Sequence, residues 1–379
     1  MEPKSLLAYC QSETDSLLRC LRRAVEIESP SNSKPGVDRL ASFFAREFER
    51  RGGRARVLSH PKVGSAVCAE FWGTLRGRKP ILLLGHLDTV WGIGTLAQMP
   101  FHVRAGRAYG PGILDMKSGI VCGLWAIQAL QALGIAPARP VRFFLNSDEE
   151  VSSQAFRQAI LAEARRARAV LVLEPAAAGG ALKTARKGVG DFKIIVHGRS
   201  AHAGVDPAAG VNAVSELARQ IIHVQSFARP GKGLTVSVNV AEGGTRPNVI
   251  PERASMLVDV RVPRWRDART IERKIHGLKP FDPQARLEID GGINRPPMER
   301  QMALGLFQKA RALGRQMGMQ LQEASTGGGS DGNLTAALGI PTLDGLGGVG
   351  EGAHARHEHV VIRELPRRAA LLAALLATL

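Results

Sequence analysis

Three short apolar runs constrain the fold more than any other feature of this chain. Ile81–Leu84, Val141–Leu145 and Ala169–Leu173 are each four or five residues long and almost wholly apolar. A strand that is apolar on both faces needs both faces covered, as in a parallel sheet sandwiched between helices. The chain between and around these runs agrees. Gly36–Arg51 has the spacing of an amphipathic helix, Ser118–Leu133 is apolar nearly all round, and Ser153–Arg168 reads as a third helix. Arg54–Leu58 and Ser65–Phe71 add two shorter strands. The pattern is that of an α/β domain with a mostly parallel sheet.

The texture changes near Lys187. Asp191–His197 reads as a strand, Pro207–Val224 as an amphipathic helix, and Leu234–Ala241 and Ala254–Val262 as half-exposed strands. Asp267–Gly277 is then a helix and Arg286–Asp290 a last strand. This β-α-β-β-α-β order is the ferredoxin-like split motif. After Pro296-Pro297 the helix and strand patterns resume, with Met302–Met317, Gln320–Glu323, Asn333–Leu338 and a Leu/Ala-rich helix from Leu365. The expected organisation is one α/β domain built from residues 1–186 and 297–379, with a smaller α+β domain of residues 187–296 inserted in it. A length of 379 residues suits two domains.

Composition narrows the function classes. A formal charge of +17 raises the possibility of a polyanion partner. The basic residues are scattered, however, and aromatic residues make up only 5%, too few for base-stacking platforms. No nucleic acid is therefore expected. No apolar run reads as long enough for a membrane span, since Gly119–Leu133 is interrupted by Gln128 and Gln131. The first residues carry acids where a signal peptide needs bases. Cys10, Cys20, Cys68 and Cys122 have neither disulfide-framework nor zinc-ribbon spacing. A cytoplasmic protein with no membrane partner is the expectation.

Ionisable residues follow the buried strands directly, and in open α/β sheets ligands bind beyond the carboxyl ends of strands. His86 and Asp88 follow the first run; two apart in extended chain, they share one side, and Asp88 could accept the second N–H of a metal-bound imidazole. An ordinary loop histidine fits the same letters. Asp115, after Gly110-Pro-Gly112, is either a helix cap or a metal ligand. Asp148-Glu149-Glu150 end the second run; such crowded acids repel unless a cation offsets them, although a solvated acidic turn would look alike. Neighbouring residues point apart, so one Glu could bind metal while the other faces substrate as a base. Glu174 ends the third run, and His354 lies late, with His357, Glu358 and His359 close behind. Together, two His and three carboxylates suit two zinc-like ions sharing one bridging carboxylate.

The strings GHLDTV, YGPGILDMKSG, SDEE, LEP, HGRSAHAG, TRPNVIP, DVRVP, TGGGSD and GAHARHEHV occur in this order over nearly the whole chain. In this the sequence resembles the M20 family of zinc metallopeptidases and aminoacylases, and within it the glutamate carboxypeptidase branch. Two departures are Ser118, where the family often has Gly, and Val151-Ser152-Ser153, where Gly-Ser is common.

The resemblance implies a di-zinc catalytic domain with an inserted ferredoxin-like lid and dimerisation domain, and a homodimer. It implies that His86, Asp115 and Glu174 hold one Zn2+ and that Asp115, Glu150 and His354 hold the other, with Co2+ or Mn2+ as possible substitutes. Asp88 would orient His86. Glu149 would be the general base, taking a proton from a water that bridges the metals and returning it to the leaving amine. His202 would stabilise the tetrahedral oxyanion, often from the partner subunit. Arg261 would bind the substrate carboxylate, and the strand pattern independently puts it opposite an apolar face, beside Asp259. Asn248, Gly328 and Gly329 resemble further substrate-binding elements. Lys183, Arg186 and Lys187 could bind a second carboxylate or be solvated hinge charges.

The implied activity is hydrolysis of an amide bond to a C-terminal amino acid, plausibly glutamate, in a small-molecule or peptide substrate with a free carboxylate. The alternative within the family is an N-acyl amino acid deacylase of the acetylornithine or succinyl-diaminopimelate type. A metal-free or polyanion-binding protein is the alternative of another class.

Overall fold

The computed structural model describes residues 2–74 and 77–379. The three apolar runs become neighbouring strands. A six-stranded sheet runs in the order Arg54–Leu58, Ala66–Phe71, Val141–Asn146, Ile81–His86, Ala169–Val172, Thr342–Leu343. The last four pair in parallel, and the first two are added antiparallel at one edge. Register sets the position of the chemistry. His86 lies opposite Asn146, and Leu84 opposite Val172, so the carboxyl ends of three strands finish side by side. Backbone bonds continue the alignment past the strands, from Leu87 N to Asn146 O at 2.7 Å and from Leu173 N to Leu84 O at 2.8 Å.

The helix Ser118–Ala132 is buried almost all round, as its composition requires. Its start packs directly on the strand ends: a Cβ at Gly119 would lie 1.9 Å from Leu173 O, so only glycine permits this approach. A π-turn over Ile113–Lys117 precedes it. The joined segment Ile113–Ala132 does reach the length and apolarity of a membrane span, contrary to the sequence reading, but 89% of that stretch is buried inside the molecule. A core helix covered on all sides meets the same compositional test.

Contacts divide the chain into two units: residues 1–185, 300–326 and 330–379, and residues 186–299 with 327–329. The second unit thus extends to Glu299 and takes in Gly327–Gly329, which the sequence reading had put with the catalytic domain. Its strands Gly188–His197, Thr235–Gly243, Arg253–Val262 and Arg286–Arg295 form an antiparallel sheet in which, counted within the unit, the order is 2-3-1-4. Helices Ala213–Gln225 and Trp265–His276 complete the ferredoxin-like motif. Ile194, Val196, Met256, Val258, Val260, Leu217 and Ile271 belong to its own core.

All four cysteines are free and buried. Burial pushes the thiols of Cys10, Cys20 and Cys122 up to about 12, and raises that of Cys68. Because the thiolate is the reactive form, the native protein is expected to react slowly with a thiol reagent at pH 8 and completely after unfolding. Rapid labelling of the native protein would contradict this packing.

Candidate metal centre

The strand Ile81–His86 ends on His86 and the loop after it carries Asp88, both almost fully buried. His86 Nδ1 lies 2.9 Å from the Asp88 backbone carbonyl and 3.5 Å from its carboxylate. The main-chain carbonyl is the closer of the two Asp88 contacts, and the carboxylate also lies beside the ring. The Asp88 carboxylate also accepts from Ser31 Oγ at 2.7 Å and from the backbone N–H of Glu149 and Glu150, both at 3.1 Å. Asp88 thus also fixes the turn that presents the paired glutamates.

His86 Nε2 faces outward from that loop. It lies 3.2 Å from Asp115 Oδ1 and 3.6 Å from Glu174 Oε1. The other Asp115 oxygen, Oδ2, is 3.5 Å from His354 Nε2, which is itself 3.1 Å from Glu150 Oε1. Asp115 caps no helix; its two oxygens face two His/carboxylate groups. Ligand atoms around a tetrahedral zinc with bonds of about 2.0–2.1 Å sit roughly 3.3 Å apart. The observed separations of 3.1–3.6 Å fit that spacing. Candidate ligand atoms of His86, Asp115 and Glu150, and of His86, Glu149 and Glu174, all fall within 4.8 Å of one another. Glu149 therefore stands beside the cluster, and is buried.

The electrostatics show what the cluster requires. Burial opposes ionisation of His86, but hydrogen bonds to Asp115 and Asp88 raise its pKa well above the usual value. Hydrogen bonds to Asp115 and Glu150 push His354 to about 10. Burial opposes ionisation of Asp115, yet His354 and His86 hold it well below the carboxylate range. The carboxylates crowded around them thus push both imidazoles toward their charged forms. His354 has φ +62°, a left-handed conformation unusual for a non-glycine residue.

Both departures from the family strings fall beside this centre. Ser118 is fully buried and its Oγ has no hydrogen-bond partner among the described residues. Ser152 and Ser153 take φ +78° and +53°. This left-handed pair delays the following helix to Arg157, later than the sequence reading put it. Ser153 is tied down by hydrogen bonding to Asp331, while Asn146 Nδ2 donates to Ser153 Oγ at 3.0 Å. Ser118→Ala is expected to raise stability by about 1 kcal/mol by removing an orphaned hydroxyl. Ser152→Gly is expected to add roughly 0.5–1 kcal/mol by relieving the left-handed penalty. Denaturant midpoints check both, and a lower midpoint in either variant would contradict the local account.

The residues that the resemblance assigns to substrate belong to the second unit. His202 and Asn248 come together there: Ala201–His202 pairs with Val249–Ile250, and Ala203 N donates to Asn248 O at 3.0 Å. His202 is exposed, with Nδ1 accepting from Gly204 N at 3.2 Å. Arg261 shares a face of its strand with Asp259, as the strand pattern puts it. Its Nε and Nη2 clasp the Asp259 carboxylate at 2.7–3.0 Å, because residues two apart on a strand share a face. Arg186 is buried and donates to the carbonyls of Gly328 and Gly329 at 3.1 and 3.0 Å, so it is not a solvated hinge charge. His359 is almost fully buried, its ring 5.2 Å from that of Tyr109 and its Nδ1 3.0 Å from His357 O.

The contacts of Glu358 had no sequence signal. Glu358 is 1% exposed and its carboxylate gathers four donors from distant segments. Nearby, burial pulls Lys117 down to about 7, and its Nζ donates to Ile27 O at 2.9 Å.

The profile of peptidase family M20/M25/M40 matches residues 82–378. The chain belongs to that family. Among its M20 relatives, carboxypeptidase G2 of Pseudomonas sp. (strain RS-16) is 31% identical over 384 aligned residues, spanning 99% of this chain and 92% of that one. Succinyl-diaminopimelate desuccinylase of Wolinella succinogenes is 26% identical over 303 residues, covering 75% of this chain and 80% of that one. An M20 family metallo-carboxypeptidase from Sulfolobus solfataricus shares the fold at TM-score 0.72 and 16% identity, covering 95% and 98% of the two chains. A hydrolase of the M20 family, with an acidic and histidine-rich candidate metal site, is what the sequence and fold establish.

Proposed function

We propose that this M20 hydrolase holds two divalent cations, zinc first among them, and cleaves an amide bond whose amine side is a free amino acid. The observation that carries the reading is Asp115, whose two oxygens face His86 on one side and His354 on the other. His86, Asp115 and Glu174 would hold one ion; Asp115, Glu150 and His354 would hold the other. When bound, such a pair lowers the pKa of water and polarises a carbonyl.

The chain's own residues supply the rest. Asp88 holds the turn by the N–H groups of Glu149 and Glu150, which directs the two glutamates to different tasks. Glu149 takes the proton of the attacking water and delivers it to the leaving nitrogen. His202 and Asn248 serve the developing oxyanion and the substrate. Arg261 offers the substrate carboxylate its guanidinium in exchange for Asp259, an anion-for-anion swap that its fork permits.

Carboxypeptidase action, with glutamate as the released residue, is the first reading, supported by the similarity to carboxypeptidase G2 along almost the whole chain. Removal of an N-succinyl or N-acetyl group is the second, supported by the desuccinylase relatives. A panel of peptidyl-glutamate, N-succinyl and N-acetyl amino acids separates them. Preferred turnover of the glutamate amides supports the first, and preference for a cationic amino-acid side overturns it. The reading includes a cytoplasmic homodimer assembled through the inserted unit, whose sheet has two open edge strands, Thr235–Gly243 and Arg286–Arg295. A monomer by light scattering would count against that assembly.

A further inference from the structure

We propose that Glu358 is a positioning residue of the metal centre: its carboxylate fixes the turn that aims the two oxygens of Asp115. The proposal rests on the reading that Asp115 bridges two cations. Glu358 Oε1 accepts from Leu114 N at 2.9 Å and Asp115 N at 3.1 Å. Oε2 accepts from Gly112 N at 2.9 Å and from the indole Nε1 of Trp91 at 2.7 Å. Three backbone N–H groups converging on one anion form a nest, and here the anion belongs to the protein itself.

The sequence positions of these partners give the contact its reach. Trp91 follows Asp88 by three residues on the His86 loop. Gly112–Asp115 is the turn that bears Asp115, and Glu358 follows His354 by four residues. One buried side chain therefore binds together three of the segments that carry candidate ligands. Its main chain adds to this, with Gly110 N donating to Glu358 O at 3.4 Å and Glu358 N to Ala355 O at 2.9 Å. The peptide N–H of Asp115 is itself one of the donors, so the Asp115 main chain cannot turn without breaking a charge-assisted bond in a buried place.

The negative charge is essential to this role. All four donors need lone pairs on two oxygens. A glutamine at this position keeps the shape but turns one oxygen into an N–H donor, which would face either the Gly112 and Trp91 donors or the Leu114 and Asp115 donors. Either way one side of the nest opens and the turn loosens. Groups that orient metal ligands in this manner typically change metal affinity roughly 10–100-fold when lost.

The test is Co2+ binding to the metal-stripped full chain, followed by chelator competition and by the visible absorption of the bound ion. Glu358→Gln is expected to bind roughly 10–100-fold more weakly than wild type and to shift the absorption band, because ligand geometry changes. Trp91→Phe removes one neutral donor and leaves the backbone nest intact, so a smaller loss of affinity is expected. Native-like thermal unfolding of the stripped variants establishes that each is folded. A folded Glu358→Gln protein with wild-type affinity and spectrum overturns the proposal. If Glu358→Gln does not fold, unchanged affinity and spectrum in Trp91→Phe overturn it instead. Failure of the wild type to take up Co2+ would overturn the metal-centre reading itself, a different result from wild-type uptake that Glu358→Gln leaves unaltered.

Discussion

Glu149→Ala is expected to lower the rate of amide hydrolysis by about 10²–10⁴-fold, the usual worth of a positioned general base, while metal content stays at the wild-type level. The two halves of this expectation separate two roles that geometry alone allows. Glu149 stands within 4.8 Å of His86 and Glu174 through candidate ligand atoms, which a third metal ligand would also do. Yet Glu150, its neighbour, is the residue that contacts His354, at 3.1 Å. Asp88 holds the backbone N–H of each glutamate by a different oxygen, so the turn presents the two carboxylates as distinct groups. A base removed from such a site leaves the metals in place and the water slow to ionise. A ligand removed from it leaves fewer metals. Metal analysis beside turnover numbers checks both, and loss of metal together with activity would assign Glu149 to the ligands.

Asp115→Asn is expected to have the larger effect on assembly. The wild-type carboxylate serves both groups, with Oδ1 3.2 Å from His86 and Oδ2 3.5 Å from His354. An amide keeps one neutral oxygen and turns an N–H toward the other imidazole, so neither ion has its anionic bridge. Activity should fall to background and metal content below one ion per chain. Stability gives a second readout. A ligand that binds only the native state at 1,000 times its dissociation constant adds about 4 kcal/mol. Zinc added to stripped wild-type protein should give a gain of this order, and Asp115→Asn should forgo most of it. Thermal unfolding with and without zinc measures the difference; an equal gain in the variant would mean that Asp115 is not a ligand.

Much of this centre was legible because strand ends are legible. Ile81–Leu84, Val141–Leu145 and Ala169–Leu173 are short, apolar and each followed by an ionisable residue, and parallel pairing in register brings those residues to one edge. The inserted β-α-β-β-α-β unit was legible for a similar reason, since its strands alternate and its helices are amphipathic. What stayed hidden depends on contacts between segments far apart in sequence. Nothing in the string HEH announces that Glu358 reaches back to Trp91 and the Gly112–Asp115 turn. The late start of the helix at Arg157 follows from two left-handed serines, whose conformation no periodicity reports. Arg261 was legible in its place but not in its partner's grip: the alternation that keeps it off the core also sets it beside Asp259, with which it forms an ion pair.

The most direct test of the account is the metal content of the purified wild-type chain, measured by elemental analysis beside that of His354→Ala. The account predicts two divalent ions per wild-type chain and one in the variant, because His354 serves only the group shared by Asp115 and Glu150. Fewer than one ion per wild-type chain, or equal content in the two proteins, would contradict it.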